Sequence, residues 1–287
     1  MGRRRLEPAV RETLGRLLGA AKLEVLPLGS LDEQLDALPA GALLAVTASP
    51  GKGLEASIEV GKRLRERGFQ VVIHLAARMV RDRPHRRALL ARMRDAGLDR
   101  AFVVGGDERD AGVYPDALAL LRDMAEAGHH LREIGIAAYP QGHPSIPDAS
   151  LAAALAAKAP YADYMTTQLC FDADGLTAWL WRTREAGITL PIDVGIPGDV
   201  EATRLLRIST RIGVADAARF VAKQGSLVTR LLRPGGYRPD GLLTDLAPTL
   251  ADAEAGVRGL HVFTFNQVRQ TEAWRRRLLA SLTTDGG

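Results

Sequence analysis

The chain has 287 residues, 46% hydrophobic and 25% charged, with a net charge of +4, which is ordinary for one α/β barrel and typical of globular composition. No apolar run reaches the ~18–20 residues of a membrane span, and the basic start MGRRRLEPAVRETLGR lacks the apolar core of a secretory signal. The one cysteine, Cys170, excludes an intramolecular disulfide and a Cys-based zinc site within one chain, and fits a reducing cytosol.

Residues 1–20 form a basic extension. The first sixteen hold five Arg and two Glu, so they supply +3 of the charge and leave the body nearly neutral. With only 5% aromatic residues, the chain lacks the concentrated basic face and stacking side chains of a nucleic-acid binder. From residue 21 to 287 one domain is expected, built of short apolar runs alternating with amphipathic stretches. The runs are KLEVL (22–26), ALLAVT (42–47), FQVVIHL (69–75), AFVVGG (101–106), EIGIAAY (133–139), DYMTTQL (163–169), PIDVGI (191–196) and GLHVFTF (259–265). They lack strict apolar–polar alternation, as parallel strands covered on both faces do. Helical patterns separate them. LEASIEVGKRLRERG (54–68) places Ile58 and Leu64 on one stripe and ends on glycine. PHRRALLARMRDAG (84–97) opens on proline and closes on glycine, and DADGLTAWLWRTREAG (172–187) starts with Asp172 as N-cap. Strand and helix repeated eight times predict a (β/α)8 TIM barrel. The connection from 199 to 258 is abnormally long and carries helical patterns over 200–224 and 241–257, so extra helices are expected between strands 7 and 8.

In such a barrel the active site lies at the C-terminal ends of the strands. Those ends deliver Glu24, Thr47, His74, Asp107, Tyr139 with His143, Gln168 with Asp172, and Thr264 with Asn266. A polar residue at one strand end is usually a cap or a loop contact; the whole set together points to a site. Glu24 and Asp107 would face each other across an apolar mouth, where a raised pKa would make one a proton donor. His74, His143 and the two acids could converge on a metal, but no HxH or HExxH spacing supports one, and no metal is expected. There is no G-x-S-x-G elbow and no G-x-G-x-x-G after a strand, and SPGKGLEAS lacks the GK[ST] ending of a phosphate loop. Cys170 lies in an apolar run and reads as inert wall, and Lys52 as a loop lysine.

The strand-end segments L-E-V-L-P (23–27), A-V-T (45–47), H-L (74–75), G-G-D (105–107), A-A-Y-P-Q-G-H-P (137–144), T-Q-L-C-F-D (167–172), G-I-T-L-P-I-D-V-G-I-P (187–197) and H-V-F-T-F-N (261–266) together resemble the methylenetetrahydrofolate reductase family over nearly the full chain. The resemblance implies reduction of 5,10-methylenetetrahydrofolate to 5-methyltetrahydrofolate with NAD(P)H in a cytoplasmic enzyme, ordinarily through bound FAD. It implies that Glu24 is the general acid that opens the folate's five-membered ring to an iminium ion. Asp107 would stabilise that cation, and Gln168, with Asn266, would bind the substrate, Gln168 through the pterin. Thr47, His74, Tyr139, His143 and Lys158 match positions that line the flavin site.

Departures from the family pattern sit on the flavin side. Gly105 replaces an arginine, the fifth helix reads LAAALAAK with only Lys158 polar, and Gln267 replaces an arginine after the eighth strand. Phosphates are held by charge-assisted hydrogen bonds, so FAD is expected to bind weakly or not at all, with hydride passing directly from nicotinamide to folate. Two other readings remain open: tetrahydrofolate-dependent one-carbon transfer in a demethylation pathway, and a folate-binding barrel without turnover. The expected partners are small molecules, folate and nicotinamide.

Overall fold

A computed structural model describes residues 6–28, 31–49, 51–143, 145–199 and 239–284. Eight parallel strands close into a barrel in chain order: β1 (Lys22–Val25), β2 (Leu43–Val46), β3 (Gln70–Ala76), β4 (Arg100–Val104), β5 (Glu133–Ala138), β6 (Tyr164–Thr167), β7 (Ile192–Pro197) and β8 (Val257–Phe263). β8 pairs back onto β1 with Lys22 opposite His261 and Glu24 opposite Phe263. The (β/α)8 expectation from the sequence therefore holds.

The helices are α1 (Pro8–Gly19), α2 (Gly53–Glu66), α3 (Arg83–Asp95), α4 (Ala117–Ala127), α5 (Asp148–Lys158), α6 (Ala173–Glu185), α7 (Asp240–Ala251) and α8 (Val268–Thr284). Asp82 and Asp116 cap α3 and α4 by accepting from His85 N–H and Ala119 N–H. Asp172 stands at the N-cap position of α6 but makes no side-chain capping bond, so the capping role read from the sequence is positional only. The helix expected over 241–257 ends at Ala251, and the pattern over 200–224 lies outside the described residues.

Outward strand residues such as Val25, Val46, Ile73 and Val103 join helix residues such as Leu54, Ile58 and Leu89 in one core. Helix α1 adds Leu14, Leu17 and Leu18 to the same core. The Arg275 guanidinium of α8 donates to the carbonyls of Leu18 and Gly19 at 2.9 and 3.0 Å, engaging the open C-terminal end of α1.

Inside the barrel, polar and apolar layers alternate. At the N-terminal mouth Lys22 pairs with Asp193 at 2.6 Å and donates to Tyr164 Oη at 3.1 Å. Arg258 bridges Asp193 and Glu133, and Arg100 bridges Glu133 and Gln70. Above this plug, Ala45, Val72 and Phe102 form a thin apolar floor. The site rests on that floor, at the opposite end from the plug.

Candidate active site

Glu24 is the third residue of β1, two places beyond Lys22, so both side chains point into the barrel. Its carboxylate accepts from His261 Nε2 at 3.0 Å and lies 3.9 Å from His74 Nε2. Burial pulls the Glu24 pKa upward, but the hydrogen bond from His261 and the charges of His261, His74 and Lys22 outweigh it, and the net shift is down. The raised value expected for the proton donor is therefore not found at Glu24 in the free protein. Three residues supply the reason, His261, His74 and Lys22, and of these only His74 is among the expected site residues. In the sequence His261 opens the H-V-F-T-F-N segment (261–266) but is given no role there.

His74 is buried beside Phe102, with ring centroids 4.8 Å apart. Burial holds its pKa down at about 4, against a smaller upward pull from Glu24. The buried side-chain atoms without a hydrogen-bond partner include His74 Nε2, Thr47 Oγ1, Thr166 Oγ1 and His261 Nδ1. Buried polar atoms are normally satisfied, so a group of unsatisfied ones facing the upper barrel marks a place suited to a polar ligand. Phe263 packs edge-on against His261 at 4.8 Å and lies 6.5 Å from Phe265, giving the mouth an aromatic wall.

The other expected residues are distributed around this centre. Asp107 is exposed on the segment after β4. Tyr139 is half-buried after β5, edge-on to His143 at 5.5 Å, and burial, with the Asp107 charge adding, raises its pKa. His143 Nδ1 lies 3.3 Å from Ser145 N and 3.2 Å from Ser145 Oγ. Gln168 is exposed at the end of β6, with its amide oxygen accepting from Leu169 N–H at 2.8 Å. Asn266 is only 3% exposed, and its amide grips Leu26, accepting from the N–H at 2.7 Å and donating to the carbonyl at 3.0 Å. Its position is the β8–β1 seam, behind Glu24. Cys170 is buried, its thiol pushed up to about 12 by burial, and Lys52 donates to the Pro27 carbonyl at 2.8 Å. Among the described residues no three His, Cys, Asp or Glu side chains gather as a metal-binding set.

A flavin dinucleotide needs donors for its diphosphate. Lys158 is buried at the foot of α5 and donates to the Ala137 carbonyl at 3.1 Å, and burial lowers its pKa to about 8. The exposed residues of α5 are Asp148, Ala149, Ser150, Ala152, Ala153, Ala154 and Ala156, with no cation among them. Gly105 carries no side chain where a guanidinium could stand. These residues do not fit a tightly held diphosphate.

A family model described as methylenetetrahydrofolate reductase matches residues 35–215. Among solved structures, one described as a "putative phosphonomutase from Burkholderia cenocepacia J2315" is similar at 16% identity, covering 98% of this chain and 100% of that one with a TM-score of 0.49; at that level the likeness carries no functional argument.

Proposed function

The chain belongs to the methylenetetrahydrofolate reductase family, and from that premise we propose that it reduces 5,10-methylenetetrahydrofolate to 5-methyltetrahydrofolate by direct hydride transfer from NAD(P)H. The observation that carries this reading is Glu24, a carboxylate inside the barrel mouth held by a buried histidine and walled by Phe263. Glu24 gives its proton to a nitrogen of the five-membered ring, the carbon–nitrogen bond breaks, and the methylene group becomes an iminium cation. Hydride from the nicotinamide C4 adds to that carbon, giving the methyl group and NAD(P)⁺. One proton and one hydride are consumed per turnover.

The free protein keeps Glu24 ionised, so the proton has to be favoured by the complex. Glu24 retains 18% side-chain exposure, and a folate lying over it removes that solvent. Desolvation favours the neutral carboxyl, while His261 Nε2–H holds the group in place. Asp107 offers negative charge to the cation. Gln168 presents an amide that both donates and accepts, suited to the pterin edge.

The test is an anaerobic assay of NADH and NADPH oxidation with 5,10-methylenetetrahydrofolate, with product identified by chromatography. Appearance of 5-methyltetrahydrofolate in step with nicotinamide oxidation supports the reading; folate turnover without nicotinamide oxidation favours one-carbon transfer instead.

A further inference from the structure

Asp107 can stabilise a cation only if the segment joining β4 to α4 is held in place, and β4 itself does little to hold it, because Gly105 and Gly106 follow Val104 directly. The support comes from the neighbouring strand. After β3 the chain makes a short turn over Ala77–Met79, and Arg78 in that turn reaches across. Its backbone N–H donates to the Gly105 carbonyl at 2.9 Å. Its guanidinium donates through Nε to the Glu108 carbonyl, through Nη2 to the Arg109 carbonyl at 2.6 Å, and through Nη1 to the Pro115 carbonyl at 3.2 Å. One residue thus engages carbonyls on both sides of Asp107, using the planar fork that lysine lacks.

The two segments are also in close contact. A Cβ on Gly106, at φ +87°, would come within 3.0 Å of Ala76 Cβ, and a Cβ on Gly112 would come within 2.4 Å of the Val80 and Arg81 carbonyl oxygens. Val113 N–H donates to the Arg81 carbonyl at 3.2 Å. The loop is therefore laid along the turn after β3, with Arg78 as its central fastening.

We propose that Arg78 is a positioning residue for the reaction, fixing the 105–115 segment so that Asp107 is held at the barrel mouth. This rests on the reading of Asp107 as the group that stabilises the iminium cation. Its guanidinium contacts only backbone carbonyls in the hydrogen bonds named above, so it acts through the loop.

The experiment is a double-variant cycle on the full chain, with wild type, Arg78→Met, Asp107→Asn and the pair, measuring kcat and KM for methylenetetrahydrofolate alongside Tm. A misplacement of about 1 Å costs about 10²-fold in rate, so Arg78→Met should lose kcat on that order with a smaller change in KM. The pair should be no slower than Asp107→Asn alone, and Arg78→Lys should recover little, since an ammonium cannot span three diverging carbonyls. Losses that multiply in the pair, or Arg78→Met activity within twofold of wild type, overturn the proposal. Wild type without nicotinamide-dependent turnover would overturn the reductase reading instead. In that case amide exchange of the 105–115 peptide decides the positioning claim: selective acceleration in Arg78→Met supports it, and an unchanged rate refutes it.

Discussion

At the scale of the residue, the proposed chemistry rests on Glu24 and its two histidines. Glu24→Gln keeps the shape and removes the proton, so kcat should fall by about 10²–10⁴-fold with the fold intact; steady-state kinetics beside a circular dichroism spectrum checks this. The His261 hydrogen bond works against burial to keep Glu24 ionised. In His261→Gln the imidazole charge is gone and burial acts with less opposition, so the Glu24 pKa rises. The kcat/KM profile reports the free enzyme, and its descending limb should move to higher pH; a limb that stays in place would refute the pairing. His74 makes a separate prediction about stability. Burial holds its pKa at about 4 in the folded protein, against the ordinary imidazole value of 6.5, so the unfolded chain takes up the proton first as pH falls. Stability is full above pH 6.5 and is lost on descent towards pH 4, by up to about 3 kcal/mol. His74→Asn should flatten that slope, as read by urea midpoints at pH 7 and 4.5; parallel slopes would contradict it.

At the scale of the element, the decisive feature is the seam where β8 closes on β1. Thr264 Oγ1 donates to the Glu24 carbonyl at 2.5 Å, and Asn266 binds both backbone groups of Leu26. Phe265 and Asn266 adopt φ of 50° and 56°, a left-handed pair that non-glycine residues enter at a cost. The end of β8 therefore positions the strand that bears the acid. Asn266→Ala leaves the Leu26 N–H without a partner, while the Leu26 carbonyl still accepts from Leu28 N–H at 2.7 Å, and should destabilise the protein by about 1–3 kcal/mol, lowering kcat more than it raises KM for folate; denaturant unfolding and kinetics test both. The sequence made the strands legible because each is an apolar run of parallel-sheet length between amphipathic helices. It made Asn266 visible as a strand-end amide but not its partner, since Leu26 lies 240 residues away and meets it only through barrel closure. His261 was hidden for the same reason: inward orientation and cross-barrel register are properties of the closed sheet. Asp172 shows the converse, a residue type suited to capping that makes no cap. Arg78 sits in a turn among many arginines, and only its contacts distinguish it.

At the scale of the whole molecule, the barrel has a charged plug at one mouth and an acid–histidine site at the other. Lys22→Met removes one charge from the buried Lys22–Asp193 pair and should cost about 3–5 kcal/mol, and by taking away a positive charge that acts on Glu24 it should also let the Glu24 pKa rise. The family's architecture is retained throughout, while the surface around α5 and Gly105 offers little to a diphosphate. Those two facts together support the proposed activity, a folate reductase that takes hydride straight from a nicotinamide. The most direct measurement is the absorbance spectrum of the purified protein, followed by anaerobic oxidation of NADH or NADPH with methylenetetrahydrofolate, with and without added FAD. A colourless protein whose turnover is the same in both assays is expected. Stoichiometric yellow flavin on purification, or turnover that requires added FAD, would contradict it.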